Sequence, residues 1–212
     1  MMNDNQKDLL KEYLNVFIGQ AANMLSEMAN QHVILSVPEV EVVDMSDENT
    51  EESRPLFDSG YIVSSSMKFG RDFSGRALLI FPSYKVKKLV DACLGVDTAT
   101  SKIDYDSNDY VLLNSDFDVL KEISNVILNS IIGEFSNLLG TTVDFTVPDV
   151  ELVYVSENEQ KLYLKNSVYM LVLYTNFTLA DANVDGVIIV ALGMNSLKML
   201  IRKIDEVLGE SL

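Results

Sequence analysis

Residues 8–38 read DLLKEYLNVFIGQAANMLSEMANQHVILSVP, and the polar pattern in this stretch occurs twice in the chain. Asp8, Glu12 and Asn15 stand at i, i+4 and i+7. Pro38 follows Asn15 after a gap of 22 residues. The same spacing returns 110 positions later at Asp118, Glu122, Asn125 and Pro148. We call Asp8, Glu12, Asn15, Asp118, Glu122 and Asn125 the motif residues.

Apolar spacing predicts a long helix in each copy, over about Asp8–Asn30 and about Asp116–Leu139. Successive residues turn by about 100°, which gathers the apolar side chains on one side of each helix and the motif residues on the other. The predicted core side consists of Leu10, Tyr13, Phe17, Ala21, Met24 and Met28 in the first helix, and of Leu120, Ile123, Ile127, Ile131 and Leu138 in the second. A flat partner surface could therefore approach the motif residues.

A structural alternative is open for this stripe, because Asp, Glu and Asn are what the solvated face of an amphipathic helix normally carries. Duplication alone does not exclude it, since a duplicated domain repeats its surface as well as its site. The neighbours of the motif differ between the copies, whereas Glu and Asn do not. This difference favours a functional site.

The order of predicted elements is helix, three strands, helix, and it occurs in both halves. Pro38 is predicted to open the first strand, PEVEVV, and PDVELV echoes this strand after the second helix. The remaining predicted elements are Tyr61–Phe69, Arg76–Phe81 and helix Ser83–Leu94 in the first half, and Leu162–Tyr174, Val187–Ala191 and helix Asn195–Leu208 in the second. Connections too short for crossover helices predict largely antiparallel pairing.

The sequence therefore predicts an α+β fold with an internal duplication, pseudo-two-fold symmetry, a largely antiparallel sheet and two long motif-bearing helices on the surface. The whole chain, residues 1–212, forms one domain in this interpretation. Its two repeats cover about 8–95 and about 116–209, and a polar connector, 96–115, joins them.

Composition limits the classes of function. The formal net charge of −16 argues against binding to nucleic acid or to an anionic membrane surface, since both require clusters of Lys and Arg. No signal-like or membrane-spanning apolar run is present, which predicts a cytoplasmic protein. The one cysteine, Cys93, excludes internal disulfides and is predicted to be a core residue, and the one histidine, His32, is predicted to be structural.

Most familiar catalytic arrangements are excluded by the residues present. One His and one Cys leave little scope for a Ser-His-Asp or Cys-His site, and no Gly-rich phosphate loop is followed by Lys. Two acids and an amide remain in each copy. An amide is a poor base, but it offers one donor and one acceptor that together can hold a water molecule. Alignment of the attacking water supplies much of the rate in phosphoryl transfer.

At the motif residues the sequence resembles the CheC-type phosphatases of bacterial and archaeal chemotaxis, with their relatives CheX and FliY. The pattern of that family is Asp or Ser, three residues, Glu, two residues, Asn, then 22 residues and Pro, and both copies here match it. The resemblance covers nearly the whole chain. Two features depart from the family: Leu14 and Ser124 stand where Gly is common, and Val16 and Phe17 replace small residues after the first Asn.

The resemblance implies a phosphatase that hydrolyses the aspartyl phosphate of a CheY-like response regulator and so ends a chemotaxis or related two-component signal. Asn15 and Asn125 would orient the attacking water, and Glu12 and Glu122 would pair with a Lys of the regulator. Asp8 and Asp118 would orient the helix or meet the edge of the partner. No cofactor of its own is implied, because the regulator would hold the Mg²⁺.

Two alternatives to catalysis remain open at this point. The scaffold could be a non-catalytic module that binds a phosphorylated regulator, as flagellar-switch relatives do. Family habit alone suggests the other alternative, a regulatory partner of a CheD-like deamidase. If catalysis does occur, the bulk of Leu14 and Phe17 predicts a more hindered first site. Asn125→Ala is then expected to do more damage than Asn15→Ala.

Overall fold

The fold is described for residues 2–44, 59–97, 112–156, 169–179 and 182–209 of a computed structural model. In the first half the elements are α1 (Asp4–Ala29), β1 (Val33–Asp44), β2 (Gly60–Gly70), β3 (Gly75–Pro82) and α2 (Ser83–Cys93). In the second half they are α3 (Asn114–Leu139), β4 (Asp144–Phe145), β5 (Asp149–Val155), β6 (Tyr169–Leu179), β7 (Ala182–Leu192) and α4 (Met194–Leu208). The predicted α+β class is confirmed.

One antiparallel sheet contains strands from both halves. Its order is β1-β6-β7-β3-β2, and β4 and β5 both pair with the outer side of β2. The first strand of each half thus pairs with the other half: β1 lies against β6, and β5 against β2. With β5 placed beside β2, exchanging β1 with β5, β2 with β6 and β3 with β7 gives the same order read from the opposite edge of the sheet. This arrangement is what a duplicated chain would give, and the duplication itself stays a prediction.

The central strands β3 and β7 are buried on both faces of the sheet. Leu78 and Ile189 are register partners near the middle of this pair, and neither side chain is exposed. Both belong to a cluster built from strand residues on one face of the sheet. The other face carries a larger cluster to which all four helices contribute, including Leu10, Leu89, Ile127 and Leu200. The two motif helices, α1 and α3, therefore pack on this face of the sheet.

Gly75 lies where two strands approach closely, and its replacement should destabilise the protein. A Cβ atom at this position would lie 2.3 Å from the backbone oxygen of Ala191 and 2.8 Å from the ring of Phe69. The oxygen belongs to the neighbouring strand and cannot move without disturbing the pairing of β3 with β7.

We expect Gly75→Ala to lower the free energy of unfolding by about 1–3 kcal/mol, measured by urea denaturation. Gly133→Ala is the matched control, because a Cβ there meets no atom within 4 Å. Gly133 lies inside α3, so Ala should raise stability by up to about 1 kcal/mol. Equal stability of the two variants would contradict the close approach at Gly75.

The two long helices end in the same way. Asn30 caps α1 with φ 50°, and Gly140 caps α3 with φ 62°, both in the left-handed region. Gly adopts this conformation without strain, and Asn is among the few other residues that tolerate it. The predicted starts, Asp8 and Asp116, were too late, because α1 begins at Asp4 and α3 at Asn114.

Pro38 was predicted to open the first strand, and this prediction is wrong. β1 begins at Val33 and runs through Pro38, with a shift in its pairing to β6 between Ser36 and Glu39. Proline has no N–H to donate, so an irregularity in the ladder is where a strand can accept it. In the second copy β5 does begin directly after Pro148. The predicted connector and the strand predicted from Leu162 lie partly outside the described residues, at 98–111 and 162–168.

The core stripe of α1 is also displaced from its predicted position. Met24 and Met28 were expected in the core, but they are 50% and 43% exposed. Leu14, Ile18 and Leu25 are buried instead. These three follow a spacing of i, i+4 and i+11. The buried side of α1 is therefore rotated slightly about the helix axis from the predicted side.

Candidate functional site

The motif residues lie on the outer faces of α1 and α3. Asp8, Glu12 and Asn15 are exposed on α1. On α3, Asp118 and Glu122 are exposed and Asn125 is half-buried. All six predicted site residues are therefore accessible to some degree, and each Glu lies one helical turn from its Asn.

The two helices that carry the motif pack against each other and against the sheet. Phe17 of α1 and Phe135 of α3 meet edge to face, with ring centroids 5.3 Å apart. Both rings are almost fully buried. The motif residues consequently stand on rigid elements whose inner sides are fixed by the common core.

Asp8 and Glu12 form a like-charged pair at i and i+4, and Asp118 and Glu122 repeat it on α3. Such a pair costs an exposed helix roughly 0.2–0.5 kcal/mol. Lys11 and Lys121, three residues after each Asp, offset part of this cost, and a cationic group of a partner would offset more of it. The electrostatics of the site therefore favour a partner that brings positive charge.

The start of α3 is fixed by a buried ionic cluster. Asp116, 2% exposed, accepts a hydrogen bond from the backbone N–H of Leu113 at 2.8 Å, which closes the first turn. Its other oxygen lies 3.0 Å from Nζ of Lys87 on α2, and Nζ also lies 2.9 Å from the buried Asp91. Burial disfavours the charged lysine, but its bonds to Asp91 and Asp116 outweigh this and raise the pKa of Lys87.

The start of α1 is fixed at the corresponding position. Gln6, which precedes Asp116 by 110 positions, accepts a hydrogen bond from the backbone N–H of Asn3 at 2.8 Å. Its side-chain nitrogen donates to the buried Asp205 of α4. In both halves, therefore, one polar side chain closes the first turn of the motif helix and ties it to a short helix.

The sequence interpretation missed Gln6, Lys87 and Asp116. Gln6 and Asp116 are also 110 positions apart, but they precede the motif and their side chains differ. Extending the 110-residue comparison by one turn would have found two polar residues at equivalent positions. Lys87 and Asp205 carry no such signal, because both contact the motif helices across long sequence separations.

The predicted hindrance at the first site rests on a wrong premise. Leu14 is fully buried, and Phe17 is 3% exposed. Their bulk fills the core beneath α1 and does not reach the surface that a partner would approach. Val16, 57% exposed, is the large apolar neighbour of Asn15 on that surface.

The other candidate groups show no catalytic arrangement among the described residues. Burial raises the pKa of the Cys93 thiol to about 12, so at neutral pH it stays protonated and is a weak nucleophile. Cys93 is half-buried and packs against the main core, and His32 is exposed next to β1. Within the described ranges no three His, Cys, Asp or Glu side chains gather as metal ligands, and no helix is long and apolar enough to cross a membrane.

Comparison with known proteins identifies similar sequences and folds. No family model matches the chain. The flagellar motor switch phosphatase FliY of Bacillus subtilis (strain 168) is 23% identical over 158 residues, which are 74% of this chain and 38% of that protein. The matched region is thus well under half the length of that relative. FliY of Thermotoga maritima has a TM-score of 0.71 at 18% identity over 97% of this chain and 98% of that chain.

The resemblance to the CheC, CheX and FliY family is confirmed. A second protein of the same fold is FliM of H. pylori, solved in a complex with SpeE, with a TM-score of 0.63 at 9% identity over 97% of both chains. The chain therefore shares one fold with these proteins over nearly its whole length. Of the similar proteins, one is named a phosphatase and another was solved in a complex with a second protein.

Proposed function

We propose that this chain is a protein phosphatase that hydrolyses the aspartyl phosphate of a CheY-like response regulator. One observation carries the proposal: a Glu and an Asn one turn apart are accessible on both motif helices, at the spacing the family uses. The relative named a phosphatase supports it. The proposed substrate is a cytoplasmic signalling protein, so the proposed activity is cytoplasmic as well.

In the proposed mechanism, Asn15 or Asn125 enters the phosphorylation site of the regulator and holds a water molecule in line with the phosphorus. The water oxygen bonds to phosphorus as the bond from phosphorus to the aspartate oxygen breaks. One water proton stays on the phosphate that forms, and the other is released to solvent. The products are inorganic phosphate and the free aspartate of the regulator. The Mg²⁺ that neutralises the phosphoryl oxygens belongs to the regulator, so no metal ligand is required of this chain.

Glu12 and Glu122 have a docking role in this mechanism. Each would pair with the Lys that the regulator holds beside its phosphate, and the charge-assisted bond would fix the pose of the neighbouring Asn. Asp8 and Asp118, one turn earlier, would meet the edge of the partner. A CheD-like deamidase remains a predicted additional partner to which we assign no residues.

The second candidate function is a module that binds the phosphorylated regulator without turnover. The shared fold with FliM, solved in a complex with SpeE, favours it. One experiment separates the two functions: complex formation and phosphate release are followed together after the wild-type protein is mixed with purified phosphorylated regulator and Mg²⁺.

The phosphatase proposal expects release of phosphate at catalytic amounts of this protein, with a rate that saturates in regulator. Tight binding with no release above the spontaneous rate would support the binding module and overturn the phosphatase. The measurement should include each phosphorylated regulator of the same cell, because the motif alone does not identify the substrate.

A further inference from the structure

The two motif helices differ in accessibility beyond the motif itself. Six outward positions of α1 are exposed, whereas the positions 110 residues later in α3 are all half-buried. The exposed residues are Asn15, Val16, Gly19, Gln20, Asn23 and Met24, and their counterparts are Asn125, Val126, Asn129, Ser130, Gly133 and Glu134. Glu12 and Glu122, one turn earlier, are exposed in both copies. The difference therefore begins at the Asn of the motif.

Packing accounts for part of this difference. Among the described elements, α3 has its main contacts with α1, α2, α4, β2, β3 and β5, whereas α1 has its main contacts with α3, β1 and α4. The second motif helix thus lies among more elements than the first. A partner that must bring a phosphorylated aspartate to within hydrogen-bonding distance of an Asn finds more open surface at α1.

The two Asn side chains also differ in their local partners. Asn125 accepts a hydrogen bond from the amide of Asn129 at 2.8 Å, so part of its acceptor capacity is used within the helix. The position corresponding to Asn129 is Gly19, and a Cβ built there meets no atom within 4 Å. Among the described residues no side chain hydrogen-bonds to Asn15. Its carboxamide is therefore available to a water molecule, and Gly19 leaves room for the partner's backbone beside it.

We propose that the two sites are unequal and that the α1 copy, with Asn15, carries most of the hydrolysis. This inference rests on the proposed phosphatase function. It reverses the order expected from sequence, because the bulky residues that motivated that order are buried in the core.

The test compares the rates of phosphate release by Asn15→Ala and Asn125→Ala on one phosphorylated regulator below saturation. We expect Asn15→Ala to lower kcat/KM at least about fivefold and Asn125→Ala to retain at least about half of it. Equal losses, or the larger loss in Asn125→Ala, would overturn the inference and leave the phosphatase proposal intact. No loss in either variant or in the double variant would instead refute the phosphatase proposal.

Two controls exclude a general effect of removing an amide. Asn5→Ala removes an exposed amide of α1 ten residues, about 15 Å, before Asn15, and Asn137→Ala removes one about 120° around α3 from Asn125. Both should keep the wild-type rate. Thermal unfolding of all four variants checks that each is folded at the assay temperature.

Gly19→Asn tests the local cause separately. It gives Asn15 the same amide neighbour that Asn125 has, in open space that accommodates the new side chain. We expect the rate to fall at least about threefold. If the rate does not change, the hydrogen bond from Asn129 to Asn125 is not a cause of the difference between the two sites.

Discussion

Lys87→Met should lower the free energy of unfolding by about 3 kcal/mol at pH 7, measured by urea denaturation with circular dichroism. The substitution keeps the length and the apolar stem of the side chain but removes the cation. Asp91 and Asp116 are 5% and 2% exposed, and both carboxylates would lose their contact with the charged Nζ of Lys87. Breaking a buried ion pair by removing one partner leaves an uncompensated charge, which is the costly case.

Two matched measurements sharpen this prediction. Lys121→Met removes an exposed lysine from α3 and should change stability by less than about 0.5 kcal/mol. The raised pKa of Lys87 means that its stabilisation is fully present below the unfolded pKa of about 10.4 and is lost as pH rises through the folded pKa. The gap between wild type and Lys87→Met should thus persist from neutral pH to about pH 10. If Lys87→Met is as stable as Lys121→Met, the ionic cluster does not make the predicted contribution to stability.

Charge reversal at both docking acids, Glu12→Lys with Glu122→Lys, should raise KM for the phosphorylated regulator roughly a hundredfold, equal to about 2.7 kcal/mol. Each new lysine would face the lysine that the proposed mechanism assigns to the regulator. Like charges at a docked interface cost several kcal/mol, whereas kcat depends on the Asn and should change little.

Stability should not explain this result, because both positions are exposed. The new lysines would also stand one turn from Asp8 and Asp118, where opposite charges favour the helix. Glu27→Lys is the control, since it makes the same change at an exposed position of α1 outside the motif. An unchanged KM in the double reversal would remove the docking role from Glu12 and Glu122.

The sequence predicted the parts of the fold that depend on local patterns. The long helices and the strand after each of them follow from apolar spacing and from the doubled motif, and the ends at Asn30 and Gly140 follow from residues that accept the left-handed conformation. Periodicity does not encode which strands pair. The pairing of β1 with β6, and of β5 with β2, joins residues more than 80 positions apart and depends on how the two halves fold together.

Only part of the candidate site was predicted from the sequence. Spacing alone placed Glu12, Asn15, Glu122 and Asn125 on accessible faces. It did not reveal that Asn125 is half-buried, because this depends on the tertiary surroundings of α3. Nor did it reveal the cluster of Lys87, Asp91 and Asp116, which forms only when α2 meets the start of α3. Met24 and Met28 show that even the core stripe of one helix is set by its tertiary neighbours.

The central claim is that outward carboxamides on the paired helices direct water to the phosphate of another protein. The most direct measurement is the rate of phosphate loss from one phosphorylated regulator with wild type, with Asn15→Ala/Asn125→Ala and with no added protein. The account predicts acceleration by wild type and a double variant that binds the regulator but releases phosphate at the spontaneous rate. A double variant that works at the wild-type rate would contradict it.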